Sequence, residues 1–121
     1  MKLFIVLFFC LSSSMAVAQK GVVHVDSKAF NNLIKLGNTQ ILDVRTENEY
    51  NDGSIQGSIN IDYWHPEFMS LVKNNFDKSI PLLIYCAGGG RSAMAADKLR
   101  KKGFKVIYNL ESGFDGYTYN D

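Results

Sequence analysis

Short runs of apolar residues alternate along the chain with stretches of helical periodicity, and this alternation predicts alternating strands and helices. Strands separated by short helices favour a parallel sheet that is covered by helices on both faces, an α/β fold. The most apolar run, residues 81–85, is expected at the centre of that sheet. The predicted strands cover residues 22–25, 40–44, 58–61, 81–85 and 105–108.

Polar residues and glycines mark the ends of the predicted helices. Asp26 or Ser27 is expected to cap the first helix, which Gly37 ends. Thr46 and Glu49 have the spacing of a capping box, in which each side chain binds the other's backbone at the start of a short helix. Besides these two, helices are predicted over residues 66–75, with Pro66 in the first turn, and over residues 92–102.

The first 18 residues have the pattern of a secretory signal. A charged start at Lys2 is followed by an apolar stretch over residues 3–11 and by the small residues of Ala16-Val17-Ala18. The apolar stretch is too short to span a bilayer, which takes about 20 residues. We therefore expect cleavage after Ala18 and a single domain over residues 19–121, located in the periplasm or secreted, with no membrane association after cleavage.

Charge and histidine placement narrow the function classes. The net charge is +1, and no basic stripe with interleaved aromatic residues is present, so no nucleic-acid partner is expected. His24 and His65 have no cysteine or carboxylate at metal-ligand spacing. We therefore expect no metal and no cofactor.

The candidate chemistry lies at Cys86, which ends the apolar run and opens a glycine-rich loop. Glycines allow a tight turn that points successive N–H groups inward. The start of a helix and the charge of Arg91 favour a thiolate and an anionic substrate beside it. The alternative is a buried core thiol next to an ordinary turn. The loop consists of Ala87, Gly88, Gly89, Gly90, Arg91 and Ser92.

The fate of the second cysteine supports a chemical role for Cys86. Cys10 would leave with the signal, so Cys86 would remain without a partner for an internal disulfide. Exported proteins tend to use cysteines in disulfide pairs. A retained single thiol in an oxidising compartment is therefore either chemically used or passively buried, and its place at a loop favours use.

A parallel sheet also predicts where ligands bind, because they occupy the carboxyl ends of the strands. Cys86 lies at one such end, and Asp43 and Arg45 lie at another. Asp43 and Arg45 either support the edge of the site or brace the strand end with an ion pair. Three residues that follow the third strand are expected either at the mouth of a pocket or in the core and rim: Trp64, His65 and Phe68.

Three segments in order resemble the rhodanese-like domain family. The first is Leu42-Asp43-Val44-Arg45 followed by Glu49-Tyr50, Gly53, Ile55, Gly57 and Asn60; the second is the loop from Cys86 to Ser92; the third is Gly103-Phe104-Lys105-Val106 with Leu110 to Gly113. The resemblance covers nearly the whole segment after residue 18. It implies a rhodanese-like fold, with a central parallel sheet flanked by helices on both faces.

The resemblance also implies sulfurtransferase activity. Cys86 would take sulfur from thiosulfate or a related small anionic donor and hold it as a persulfide. It would then pass the sulfur to a thiol, protein thiols included, or to cyanide. N–H groups from Ala87 to Ser92 would surround the persulfide, and Arg91 would orient the loop or pair with the donor. The Ser92 hydroxyl would cap the helix, donate to sulfur, or do both.

Three other functions would use a loop of this kind. Cysteine phosphatases and arsenate reductases also have an anion-binding loop between a cysteine and an arginine. Their loop needs one more residue between the two than the four found here, Ala87 to Gly90. A persulfide carrier or redox partner that handles thiosulfate poorly remains open, since the loop carries one positive charge. A binding module without catalysis also remains open, although it would be expected to have lost Cys86 or Arg91.

Overall fold

The computed structural model describes residues 21–119 of the 121-residue chain. The predicted signal and its cleavage site lie outside the described residues. No helix within residues 21–119 has the length and apolar character needed to cross a membrane.

Five parallel strands form one sheet in the order β1-β5-β4-β2-β3. The α/β class is confirmed, and so is the central place of β4, whose four residues are all buried. The strands are β1 (Val22–Val25), β2 (Gln40–Asp43), β3 (Ile59–Asn60), β4 (Leu82–Tyr85) and β5 (Ile107–Leu110).

Four helices connect the strands, and their ends follow local capping. Asp26 accepts a hydrogen bond from the N–H of Ala29 at the start of α1, and Gly37 ends that helix with a φ of +81°. The predicted capping box of Thr46 and Glu49 is present at the start of α2. The helices are α1 (Ser27–Leu36), α2 (Glu47–Asn51), α3 (Phe68–Asn75) and α4 (Gly90–Lys101), and a short 3-10 turn covers Phe114–Gly116.

Two elements begin two residues later than predicted. Before α3, the side chain of Asp62 accepts from the N–H of Trp64, and Nδ1 of His65 accepts from the N–H of Glu67, so local turns replace the first helical residues. The strand β5 begins at Ile107 because that residue lies in register with Leu82 of β4. The start of α3 is thus set by local side-chain contacts, and the start of β5 by pairing with a distant strand.

Alternation along β4 directs its side chains into two cores. Leu82 and Ile84 point to the face that α3 and α4 cover, where they pack in one cluster with Leu99. Leu83 and Tyr85 point to the opposite face, where Phe30 of α1 packs. Cys86 follows the same alternation and belongs to the α3 and α4 side.

The loops that carry the site residues follow β2 and β4, the two neighbouring strands at which the strand order reverses. β2 and β4 are neighbours, yet the chain goes from β2 to β3 on one side and from β4 to β5 on the other. The loops after β2 and β4 therefore diverge and leave a crevice between them, the usual ligand position in such sheets.

A matched pair of leucine substitutions tests this core. Leu99 of α4 is fully buried, whereas Leu36 at the end of α1 is 80% exposed. We expect Leu99→Ala to lower the free energy of unfolding by about 2–5 kcal/mol, because it removes buried methyl groups and leaves a cavity. We expect Leu36→Ala to change it by less than about 0.5 kcal/mol. Urea denaturation measures both, and equal losses would contradict the placement of α4 on the core.

Candidate active site

The thiol of Cys86 lies inside a ring of hydrogen-bond donors from its own loop. Sγ accepts from the N–H of Gly89 at 3.1 Å, from the N–H of Ser92 at 3.3 Å and from the Ser92 hydroxyl at 3.3 Å. The residue is only 1% exposed. Donors of this kind favour a negatively charged sulfur over a neutral one.

Gly89 gives the loop its curvature. Its φ is +98°, in the left-handed region, and a Cβ there would lie 2.4 Å from the carbonyl oxygen of Glu111. A side chain at this position would therefore collide with fixed backbone as well as strain the dihedral angle. By contrast, a Cβ at Gly88 or Gly90 would meet nothing within 4 Å. Only the buried glycine of the three is required by the fold.

The segment after β5 holds the outer side of the loop. The N–H of Phe114 donates to the carbonyl of Cys86 at 2.8 Å, and the N–H of Asp115 donates to the carbonyl of Ala87 at 3.0 Å. Gly113 permits this approach, since a Cβ there would lie 2.2 Å from the Ala87 oxygen. The peptide between Ala87 and Gly88 is thereby fixed, and its N–H is one of the groups that lower the pKa of the thiol.

Two opposing effects set the acidity of Cys86. Burial raises the pKa of the thiol, but hydrogen bonds from the Ser92 hydroxyl and from the N–H groups of Ser92, Gly89 and Gly88 lower it by more. The net result is a pKa below the ordinary value for cysteine. At a given pH, a larger fraction of Cys86 is therefore in the thiolate form, the nucleophilic one, than for an ordinary cysteine.

Ser92 lies in the first turn of α4 and not at its cap. Gly89 occupies the cap position, without a side-chain hydrogen bond to the helix. The Ser92 hydroxyl is within hydrogen-bond distance of Sγ and also 3.2 Å from the carbonyl of Gly89. Of the two expected contacts, the structure contains the one with sulfur.

Arg91 is paired with a carboxylate of the protein itself. Its two terminal nitrogens donate to the two oxygens of Glu49, at 3.0 and 3.2 Å. The pKa of Glu49 is lowered to about 2. The hydrogen bond from Arg91 contributes most to this shift, and hydrogen bonds from Thr46 contribute in the same direction. Glu49 is thus ionised across the neutral and mildly acidic range.

Sequence reasoning assigned Glu49 to the capping box and to the first family-like segment, but it did not connect this residue with the loop. The two partners are 42 positions apart, and nothing in the local spacing relates them. The carboxylate does both tasks in the structure, since Oε1 accepts from the Thr46 N–H at 2.9 Å as well as from Arg91. The signal available in the sequence was an acidic residue in a segment expected beside the loop.

Asp43 and Arg45 form a buried ion pair at the end of β2. The shortest contact joins Nη2 of Arg45 to Oδ2 of Asp43 at 2.8 Å, and the same nitrogen donates to the carbonyl of Gly53. The guanidinium lies over the ring of Phe114 at 4.4 Å from its centre. Because Asp43 is fully buried and Arg45 is 4% exposed, the pair braces the strand end.

The aromatic residues after β3 line a neighbouring cavity. Phe68 is buried against Tyr63, whereas Trp64 is 63% exposed. A cavity of about 450 Å³ has Trp64, His65 and Phe68 in its wall, and neither Cys86 nor a residue of its loop lines it. These three residues therefore belong to a separate depression in the surface.

The described part of the chain contains no cluster of metal-ligating side chains. Within residues 21–119, no group of three or more histidine, cysteine, aspartate or glutamate side chains is placed to hold a metal ion. The features available for chemistry are the activated thiol, its N–H cradle and the Arg91–Glu49 pair.

The fold and the loop define a class, and comparison with known proteins agrees. The model of the rhodanese-like domain family matches residues 26–120. This chain belongs to that family. A crystal structure of a rhodanese-like domain protein from Staphylococcus aureus superimposes with a TM-score of 0.68 at 29% identity, and the match covers 79% of this chain and 91% of that one.

Two curated relatives carry different names. A tRNA uridine(34) hydroxylase from Pelagibacter ubique is 36% identical over 107 residues, which cover 88% of this chain and 36% of that protein. Thiosulfate sulfurtransferase 16, chloroplastic, from Arabidopsis thaliana is 30% identical over 94 residues, which cover 70% of this chain and 78% of that one. This chain therefore spans little more than a third of the hydroxylase.

The first prediction for the site concerns the glycines of the loop. We expect Gly89→Ala to destabilise the protein by at least about 1–3 kcal/mol, because alanine is strained at a φ of +98° and its Cβ meets the Glu111 carbonyl. Gly90→Ala is the matched control, since its Cβ meets nothing within 4 Å. Urea denaturation compares them, and equal midpoints would contradict the described loop.

The second prediction concerns the acidity of the thiol. We expect Ser92→Ala to raise the pKa of Cys86, because the hydroxyl that favours the thiolate is lost while the N–H groups remain. The alkylation rate with iodoacetamide, measured from acidic to alkaline pH, should then rise at higher pH than in the wild type. Ser70→Ala, at an exposed serine of α3, is the control. An unchanged pH profile for Ser92→Ala would show that the hydroxyl does not lower the pKa of Cys86.

Proposed function

We propose that this protein is a sulfurtransferase that carries sulfur as a persulfide on Cys86. The observation that carries the proposal is the set of three donors, two N–H groups and one hydroxyl, that converge on Sγ. Such donors stabilise negative charge on sulfur, both in the attacking thiolate and in the thiolate that leaves. The name of the Arabidopsis relative is in keeping with this chemistry.

Transfer to the protein is a displacement at sulfur. The Cys86 thiolate attacks the sulfane sulfur of a donor, and a new sulfur–sulfur bond forms at Sγ. The bond between that sulfur and the rest of the donor breaks, and the leaving group departs with the electron pair, as sulfite when the donor is thiosulfate. The product is a persulfide anion on Cys86, held as a covalent intermediate.

Transfer from the protein repeats the displacement in the other direction. The thiolate of an acceptor, or cyanide in an assay, attacks the outer sulfur, and Cys86 leaves as a thiolate. The acceptors are small thiols or a thiol of another protein. The lowered pKa of Cys86 helps this step as well, because a thiolate with a low pKa is a good leaving group.

The dimensions of the loop support the transfer of a single sulfur atom. Its donors lie 3.1–3.3 Å from one sulfur atom. Gly88 and Gly90 are exposed, and neither has a side chain that would obstruct a donor at the loop.

The name of the Pelagibacter relative describes an activity on tRNA, which is a polyanion. Two carboxylates act on Arg91 in this chain: Glu49 of α2, which is paired with it, and Asp62 after β3. Negative charge at this place disfavours a polyanionic substrate. We therefore propose small sulfur compounds and thiols as substrates, and, from the signal at the N-terminus, a periplasmic or secreted location.

Intact mass spectrometry of residues 19–121, which lack Cys10, before and after incubation with a sulfane sulfur donor tests the proposal. We expect the wild type to gain the mass of one sulfur atom from thiosulfate, polysulfide or benzenethiosulfonate. We expect Cys86→Ser to gain nothing, because serine is close in size but a poor nucleophile here. Circular dichroism serves as the control for folding of the variant. An adduct that persists in Cys86→Ser, or no adduct with any of these donors, would refute the mechanism.

A further inference from the structure

The cation of the active-site loop is held in a fixed geometry by its partner. Arg91 makes a fork-to-fork contact with both oxygens of Glu49. Glu49 is held in turn by Thr46, whose N–H and hydroxyl donate to Oε1 at 2.9 and 3.1 Å. The carboxylate is therefore positioned by the cap of α2. Bidentate pairs of this type combine strength with defined geometry.

The charges that surround Arg91 leave little net attraction for an anion. Arg91 is the sole charged side chain between Cys86 and Ser92 in the sequence. The negative charges that act on it are those of Glu49, of the Cys86 thiolate and of Asp62. The side chains of Arg91 and Glu49 remain 23% and 35% exposed, so both charges act on a donor that approaches from solvent.

We propose that Glu49 determines the charge of the sulfur donor: by neutralising Arg91, it makes the site select donors with one negative charge over dianionic thiosulfate. This inference rests on the proposed sulfur transfer. The donor class is a monoanionic sulfane sulfur compound, such as an organic thiosulfonate or the persulfide of a small thiol. The repulsion between a carboxylate and a donor grows in proportion to the charge of the donor, so thiosulfate is disfavoured more strongly.

The chemical step is the same for both kinds of donor. With a thiosulfonate, the Cys86 thiolate forms a bond to the terminal sulfur and the bond between the two sulfur atoms of the donor breaks. A sulfinate leaves with the electron pair, and one negative charge remains on the persulfide. With thiosulfate, the leaving group is sulfite with two negative charges. Total charge is conserved in each case, and no oxidant or reductant is required.

The test compares two donors in Glu49→Gln. Glutamine keeps an oxygen for the N–H of Thr46 and for Arg91 but removes the charge. The rate of persulfide formation on Cys86 is measured by rapid quench and intact mass, with thiosulfate and with benzenethiosulfonate. Each variant rate is divided by the wild-type rate with the same donor, so that the intrinsic reactivities of the donors cancel. We expect Glu49→Gln to accelerate both reactions, with a logarithmic gain for thiosulfate about twice that for the monoanion.

Glu47→Gln provides the matched control. Glu47 lies in the same first turn of α2 and is exposed, but the structure gives it no hydrogen bond to Arg91. We expect this variant to leave the ratio between the two donors unchanged. A merely structural role for Glu49 would lower both rates by the same factor in Glu49→Gln. That result, or an equal gain for both donors, would overturn the inference.

A second measurement does not depend on the folding of a variant. If Arg91 is neutralised, the wild-type rate with thiosulfate stays level or rises as salt is added, because no net attraction is screened. A steep fall with salt would show a free cation and would overturn the inference. Failure of the proposed function has a different signature, since the wild type would then acquire no sulfur from either donor.

Discussion

The hydrogen bonds that reach Sγ of Cys86 come from a loop whose carbonyl groups are bound on its outer side. The carbonyls of Cys86 and Ala87 accept from the segment after β5, and that of Gly89 accepts from the N–H of Ala93 in α4. These bonds fix the peptide whose N–H belongs to Gly88, one of the groups that lower the pKa of the thiol, and they support the loop from which Gly89 and Ser92 donate to Sγ. Without them, a thiol that is 1% exposed would be held in its neutral form by burial alone. The reactivity of one atom thus depends on the packing of the strand and helix on either side.

Two arginine–carboxylate pairs lie near the crevice, and their surroundings separate their roles. The Asp43–Arg45 pair is closed off from solvent and covered by the ring of Phe114, so its charges cannot meet a ligand without disruption of the core. The Arg91–Glu49 pair is partly exposed, and it joins the loop after Cys86 to α2. Removing one partner of a buried pair leaves an unpaired charge and destabilises the fold. Separating the two residues of a partly exposed pair costs less free energy, because water solvates the charges.

The sequence predicted the elements whose causes are local. The apolar run of β4, the capping box of α2 and the glycine loop after Cys86 follow from patterns within a few residues, and the structure contains all of them. It did not predict contacts made across the fold. The pairing of Glu49 with Arg91 requires α2 to lie beside the loop, and the start of β5 depends on register with β4. The aromatic residues after β3 face another cavity because local turns around Asp62 delay α3.

The hydrogen-bond donors at Cys86 converge on a single sulfur atom. The donors lie 3.1–3.3 Å from Sγ, and the exposed residues Gly88 and Gly90 of the same loop have no side chains that could contact the rest of a donor or acceptor. Selection among partners must then come from groups at the rim, and the paired charges of Arg91 and Glu49 are placed there. A site built in this way keeps its chemistry while the rim changes, since function is determined by the groups added to a fold rather than by the fold itself. Proteins with different names can therefore share this domain, as the two curated relatives do.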